Sequence, residues 1–171
     1  MERFQLKSFL SGDRSLRLGL RPPVPVLPRP PRFEGPAALL RPDERDALLG
    51  LADRFDTCWN ARDPAALVSL FAEKGGMRFA TGRCCRGGEA LVQRYTRLFR
   101  LLPRSLRHVT RIGAVRLSGP RLATCDAQGD IVAPSWRGGD LLLHSLSAKV
   151  TVARKGNAWR ILSIRLSWRR R

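Results

Sequence analysis

The spacing of apolar residues changes partway along this sequence, and this change limits the possible folds more than any other feature. Between about residues 43 and 102, apolar residues recur every three or four positions, which is the spacing of one face of an α-helix. From residue 107 to residue 168 they recur at every second position, which is the spacing of a half-buried β-strand. Helices followed by a run of strands predict an α+β domain.

Three helices are predicted in the first part of this region. The first begins near Asp43 and ends at the stretch NARD, the second begins at Asp63-Pro64 and continues through Phe71 to a pair of glycines, and the third lies in RGGEALVQRYTRLFRLLP. Aspartate followed by proline is typical of a helix N-terminus. The predicted apolar faces contain Leu48, Leu51, Phe55 and Trp59, then Leu67, Leu70 and Phe71, then Leu91, Tyr95, Leu98 and Leu102.

One short strand and four long strands are predicted. The short strand is MRFA, and it lies between the second and third helices. The long ones are RHVTRIGAVRLSG, RLATCDAQGDI, LLLHSLSAKVTVAR and AWRILSIRLSW, and they are joined by the turn SGP, the loop APSWRGGD and the hairpin turn KGN.

The N-terminal region has a different composition. Prolines are so frequent between Arg21 and Pro42 that neither a helix nor a central strand is expected there. We therefore predict a disordered Pro/Arg-rich extension at residues 1–42 and a domain at residues 43–171, with a proline-rich ligand for a partner's groove as an alternative role for the extension. The first residues lack the apolar run of an export signal, and no stretch approaches the ~20 residues that span a membrane. These features predict a cytoplasmic protein without membrane contact.

The formal net charge of +18 favours anionic partners. Because the arginines are scattered and few aromatic residues lie among them, nucleic-acid binding is expected to be absent or weak and nonspecific. The four cysteines have no Cys-x-x-Cys spacing and the two histidines lie far apart, so we predict free thiols and no metal site. No Gly-rich phosphate loop is present, and no cofactor is expected.

Four stretches, FDTCWNARDPAALVSLFAEKGG, FATGRCCRGGEALVQRY, RIGAVRLSGPRLATCDA and ARKGNAWRILSIRLSW, resemble the SnoaL-like branch of the nuclear transport factor 2-like superfamily, in its SgcJ/EcaC type. The similarity covers about Asp43 to Trp168. It implies a cone-shaped roll in which a strongly curved, mostly antiparallel sheet packs against three N-terminal helices. It also implies a pocket at the wide end and a homodimer formed through the outer face of the sheet.

The resemblance also implies where chemistry would occur. Some members of this superfamily are ketosteroid isomerase-like or polyketide cyclase-like enzymes, and in these a carboxylate on the first strand is commonly the general base. Here Phe79 or a neighbour occupies that place, and Arg78 cannot accept a proton at neutral pH. The usual catalytic aspartate is therefore missing. The residues expected to line the pocket are Trp59, Phe79, Tyr95, His108 and His144.

No catalytic residue can be assigned from these patterns, but two candidates stand out. His144 shares strand parity with apolar neighbours such as Leu142 and Leu146, so it is either a pocket group or a hydrogen-bonded core histidine, and we expect Trp59 or Tyr95 beside it. Asp126 is the second candidate, as a base or as a group that orients His144. It also fits a polar stripe on the solvent or dimer face, together with Gln128 and Asp130.

Three functions remain open. The favoured one is a SnoaL-like pocket protein that binds a small apolar or polycyclic molecule, with or without isomerase- or cyclase-like activity. The second is a non-catalytic dimeric interaction module. The third, a basic nucleic-acid-binding protein, rests on charge alone.

Overall fold

Three α-helices precede a run of long strands, as the change in apolar spacing predicts. A computed structural model describes residues 30–168 apart from Arg137 and Asn157. Its elements, in chain order, are β1 (Arg32–Glu34), a 3-10 helix (Gly35–Leu39), α1 (Pro42–Asn60), α2 (Pro64–Ser69), β2 (Phe71–Arg78), β3 (Cys84–Arg86), α3 (Gly88–Leu101), β4 (Arg107–Gly119), β5 (Leu122–Pro134), β6 (Asp140–Lys155) and β7 (Ala158–Trp168).

All seven strands belong to one open sheet with the order β1-β4-β5-β6-β7-β2-β3. Neighbouring strands are antiparallel except that β1 is parallel to β4 and β2 is parallel to β7. The register shifts within the pairings of β4 with β5, β5 with β6, β6 with β7 and β2 with β7, and such irregularities increase the twist and bend of a sheet. The predicted α+β class, with a curved and mostly antiparallel sheet against three helices, is confirmed.

The second helix and the short strand that follows it differ from the prediction. The sequence predicts that the second helix continues through Phe71, but α2 ends at Ser69 and Phe71 begins β2. The backbone of this segment pairs with β7, where the amide of Ile161 donates to the carbonyl of Leu70 at 2.9 Å. The glycines lie inside the strand, because a methyl group on Gly75 would come within 2.7 Å of the Ile161 carbonyl oxygen.

Part of the predicted extension belongs to the domain. β1 pairs with β4, Ala37 in the 3-10 helix is fully buried, and the guanidinium of Arg45 lies 5.0 Å from the centre of the Phe33 ring. The prediction of disorder is therefore wrong for residues 32–42, because these few apolar side chains pack against the sheet. Residues 1–29 lie outside the described part of the chain.

The hydrophobic core lies between α1 and one face of the sheet, here called the concave face. α1 packs against β4 and β7, and its buried side chains include Leu48 and Leu51. Val115, Val152 and Trp159 are among the fully buried sheet residues. In the described part of the chain, no helix combines the length and the apolar character needed to cross a membrane.

Candidate functional site

A cavity of about 90 Å³ lies between α1 and the concave face of the sheet. Leu51 and Phe55 form part of its α1 side, and alternate residues of β4, β5 and β6 form the opposite wall. The lining side chains are apolar except for His108 and Thr110, which both lie on β4. A ligand here would meet a mostly apolar surface with an imidazole and a hydroxyl on one strand.

His108 is paired with a carboxylate on α1. Its Nδ1 lies 2.7 Å from Oδ1 of Asp56, and the Thr110 backbone amide and hydroxyl also donate to Asp56, at 2.6 and 2.7 Å. An ionised carboxylate only accepts hydrogen bonds, so this arrangement places the proton of the neutral imidazole on Nδ1. Nε2 then carries the lone pair. Both side chains are mostly buried, with 15% of His108 and 20% of Asp56 exposed.

Aromatic rings of α1 hold the imidazole in place. The Phe55 ring centre lies 5.5 Å from that of His108, and the nearest ring centre of Trp59 lies at 5.3 Å. These rings limit the movement of His108 without competing for its nitrogens. The apolar face of the first predicted helix therefore serves two purposes, because it fills the core and forms one wall of the site.

The turn after α1 fixes the backbone of His108. The Asn60 side chain accepts from the His108 amide at 2.7 Å and donates to its carbonyl at 3.0 Å. Arg62, at φ 58, donates to the carbonyls of Pro103 and Leu106 at 2.8 and 2.9 Å. Burial lowers the pKa of Arg62. The segment WNAR thus ends a helix and positions the start of β4.

Gly129 leaves space at the second nitrogen of the imidazole. This glycine lies on β5 beside Thr110 of β4 and lines the cavity. A methyl group built on Gly129 would come within 2.8 Å of His108 Nε2, a separation that real side chains essentially never show. Nε2 is therefore so close to the sheet surface that any larger residue at position 129 would displace the imidazole.

Of the five residues predicted to line a pocket, the cavity wall contains His108. Trp59 is buried behind His108, where its ring also contacts Phe99 edge-on. The Tyr95 hydroxyl donates to the sulfur of Met77 at 3.8 Å, and burial raises the pKa of Tyr95. Both side chains therefore belong to the core.

Phe79 and His144 also lie outside the cavity wall. Phe79 follows β2, and the Arg94 guanidinium lies 4.7 Å from its ring centre. His144 is on the concave face, because it is opposite Ile131, which is opposite His108. Its ring contacts Trp168 at 5.5 Å, rather than the predicted Trp59 or Tyr95, and burial lowers its pKa.

Asp126 is on the other face of the sheet, here called the outer face. It alternates with Cys125 and Ala127, which line the cavity. Its carboxylate contacts Arg116 at 2.6 Å and Lys149 at 3.8 Å. Asp126 therefore cannot orient His144 or act as a base in the cavity, because strand parity separates it from both.

Asp56 is not among the residues that the sequence predicts for the site. At helical spacing Asp56 falls four residues after Ala52 and three before Trp59, inside the apolar face of α1. A carboxylate inside the apolar face of a helix is the sequence signal that could have identified Asp56 as a site residue. No group of three or more His, Cys, Asp or Glu side chains in the described part of the chain could hold a metal ion.

Comparison with known proteins identifies the fold of the chain. No model of a known protein family matches the sequence, and no curated protein is significantly similar to it. Solved structures are similar. A point variant of Rv3472 from Mycobacterium tuberculosis, a protein of unknown function, has a TM-score of 0.64 at 22% identity over 75% of this chain and 73% of its own.

Two further structures share the architecture. A nuclear transport factor 2-like protein with a cystatin-like fold from Novosphingobium aromaticivorans has a TM-score of 0.62 at 17% identity, covering 74% of this chain and 82% of its own. A ketosteroid isomerase-like protein from Erwinia carotovora has a TM-score of 0.59 at 13% identity, covering 74% and 97%. The chain has a cystatin-like, nuclear transport factor 2-like fold. The resemblance inferred from the sequence is confirmed at this level.

Proposed function

We propose that this nuclear transport factor 2-like domain binds a small, mostly apolar ligand in the cavity between α1 and the sheet, and that His108 recognises the ligand's one polar group. The observation that carries the proposal is the Asp56–His108 pair at the wall of an otherwise apolar cavity. Concave, mostly apolar sites with few polar groups are typical of small-molecule binding.

Asp56 gives the imidazole a defined chemical role. Because Nδ1 donates to Asp56, the neutral ring offers Nε2 as a hydrogen-bond acceptor. If Nε2 takes a proton, the resulting imidazolium remains next to the Asp56 carboxylate, which stabilises the positive charge. His108 can thus accept a hydrogen bond from a ligand hydroxyl or take up a proton from it.

The size of the cavity restricts the ligand. Apolar cavities of about 150 Å³ can hold benzene. The present cavity, at about 90 Å³, is smaller. We therefore propose a ligand no larger than a small ring or a short branched chain, rather than a polycyclic one, and one hydroxyl or carbonyl group to match His108.

Matched probes test this proposal. Cyclopentanol and cyclopentane differ by one hydroxyl, so NMR titrations of both compare the polar and apolar parts of the site. We expect both probes to shift the NMR signals of Ile112, Ala127 and Val150. We also expect His108→Gln to lower the affinity for cyclopentanol by about threefold to tenfold, with little effect on the affinity for cyclopentane. No shift at these residues, or equal effects of His108→Gln on both probes, contradicts the proposal.

Isomerase- or cyclase-like activity is the second candidate, favoured by the lone pair of Nε2 at the cavity wall. A base alone is an incomplete site, because proton abstraction next to a carbonyl also needs a donor for the developing oxyanion. Among the described lining residues, Thr110 is the other polar side chain, and its hydroxyl donates to Asp56. Deuterium uptake next to the carbonyl of cyclopentanone, lost in His108→Gln, would support catalysis.

The SgcJ/EcaC type, a homodimer and a cytoplasmic location belong to the same proposal. The sequence resemblance and the shared fold support the first two, and the predicted lack of an export signal supports the third. The non-catalytic dimeric module is the alternative. It is favoured if the cavity residues respond to neither probe while the protein is a dimer by light scattering.

A further inference from the structure

Exposed apolar side chains are concentrated at the end of the sheet where β4 begins, here called the Arg107 end. Arg107 is opposite Val132 near the end of β5, Val132 is opposite Leu142 near the start of β6, and Trp168 is the last residue of β7. Of the seven exposed large apolar side chains in the described part of the chain, five lie at this end in β6, in β7 or in the loop before β6. They are Trp136, Leu141, Leu142, Leu143 and Trp168. A sixth, Leu101, is the last residue of α3.

The three leucines are exposed together, although they are consecutive in one strand. Alternate residues of a strand face opposite sides of the sheet, so one of the two sides is normally covered. Here Leu141, Leu142 and Leu143 are 44 to 50% exposed, and the register shifts at this point. The start of β6 therefore extends beyond the atoms that cover the rest of the sheet. Trp136, in the preceding loop, is 87% exposed.

Exposed arginines accompany this apolar group. Arg100 and Arg104 lie at and after the end of α3, in the segment that leads to the start of β4. Arg107 contacts Asp140 at 2.5 Å, so the carboxylate at the start of β6 is already neutralised. In the sequence, arginine also follows directly after both exposed tryptophans. The Arg107 end thus combines tryptophan, leucine and arginine.

We propose that the Arg107 end is a docking surface for an anionic lipid bilayer. Tryptophan favours the boundary between headgroups and hydrocarbon, leucines enter the hydrocarbon, and arginines contact lipid phosphates. A second copy of the chain fits less well, because the protein carries a net charge of +18 and a symmetric contact would bring arginines together. The absence of an apolar segment long enough to span a bilayer does not bear on this mode, because such a surface lies on the membrane without crossing it.

Vesicle co-sedimentation of the full chain tests the docking surface. The probes are vesicles of phosphatidylcholine alone and of phosphatidylcholine mixed with phosphatidylglycerol. We expect binding to the anionic vesicles, and a loss of about tenfold or more in apparent affinity for the double variant Trp136→Ser with Leu142→Ser. Leu39→Ser is the matched control, because Leu39 is 86% exposed and lies outside the Arg107 end. We expect it to bind like the wild type.

Two charge-reversal double variants distinguish binding through the Arg107 end from a general electrostatic attraction of the whole protein to the vesicles. Arg100→Glu with Arg104→Glu should weaken binding strongly, whereas Arg78→Glu with Arg86→Glu, at exposed positions of β2 and β3, should weaken it only slightly. Circular dichroism checks that each variant is folded. Equal losses in both charge pairs, or no binding to anionic vesicles at low salt, overturns the proposal. So does conversion of a dimer to a monomer by Trp136→Ser with Leu142→Ser, because the leucines would then form an interface between copies.

Discussion

At the residue scale, the close approach of His108 to Gly129 makes the site sensitive to a single methyl group. Gly129→Ala would place a carbon 2.8 Å from Nε2, so the imidazole must move away from Asp56 or from its aromatic neighbours. We expect the free energy of unfolding to fall by about 1–3 kcal/mol. We also expect cyclopentanol binding to be lost. Urea denaturation and NMR titration measure the two effects.

Gly119→Ala is the control for this substitution. A methyl group at Gly119, at the end of β4, would have no other atom within 4 Å. It should leave cyclopentanol affinity unchanged. If Gly129→Ala also binds cyclopentanol like the wild type, then Nε2 does not take part in recognition.

His144 predicts a specific pH dependence of stability. Burial lowers its pKa below the ordinary value of 6.5 in the folded chain, so the unfolded chain takes up a proton at a higher pH. The free energy of unfolding should therefore decrease as the pH falls below 6.5 and level off below the pKa of the folded state. His144→Gln should remove this part of the decrease.

Urea denaturation between neutral and acidic pH measures the difference between wild type and His144→Gln. His108→Gln is compared in parallel, because it removes the other imidazole of the chain. Identical pH slopes for wild type and His144→Gln would show that the folded chain tolerates the charged ring at this position.

At this scale the sequence predicts only part of the site. It indicates His108 as a pocket residue, but it favours Asp126 as the carboxylate and assigns no role to Asp56. The alternation along β5 places Asp126 on the opposite face from Cys125 and Ala127. It does not indicate which of the two faces the helices cover. The contact of Asp56 with His108 joins residues 52 positions apart, so it depends on how α1 crosses β4 and not on any local pattern.

At the element scale, local patterns predict the long strands that pair with their neighbours in sequence. β4 and β7 have the predicted bounds, because each alternates clearly and ends at turn residues. The sequence does not predict β1, β3 or residues 71–76 of β2. β1 and the start of β2 pair with strands far away in the sequence, and β3 has only three residues, so none of these segments shows a clear alternation of its own.

The β1 segment gives an element-scale prediction. Removal of residues 1–41 should lower the thermal midpoint by about 5 °C or more, because it removes the pairing with β4 and the buried Ala37. Removal of residues 1–29 should leave the midpoint nearly unchanged, and this shorter truncation is the control. Differential scanning calorimetry of both chains decides between them. Equal midpoints would mean that β1 adds no stability.

At the scale of the whole molecule, the distribution of charge predicts how the protein meets nucleic acids. Lys149, Arg165 and Arg78 lie directly opposite one another on three neighbouring strands, and all three are exposed. Their face of the sheet also carries Asp126, so the positive surface is interrupted. We expect weak binding to oligonucleotides that decreases steeply with salt and does not depend on sequence.

Fluorescence anisotropy with duplex and single-stranded oligonucleotides at two salt concentrations measures this binding. Arg165→Glu should weaken it for all sequences alike. Tight, sequence-selective binding at physiological salt would contradict the ligand-binding proposal and favour a nucleic-acid-binding protein.

The parallel pairing of β2 with β7 also determines when the cavity can form during synthesis. Phe71 is opposite Ile161, so these two neighbouring strands are separated in the sequence by most of the domain. Met77 of β2 and Ile164 of β7 are opposite one another and both line the cavity. A growing chain can form the hairpins from β4 to β6 early, because their contacts are local. The cavity can close only after β7 has left the ribosome.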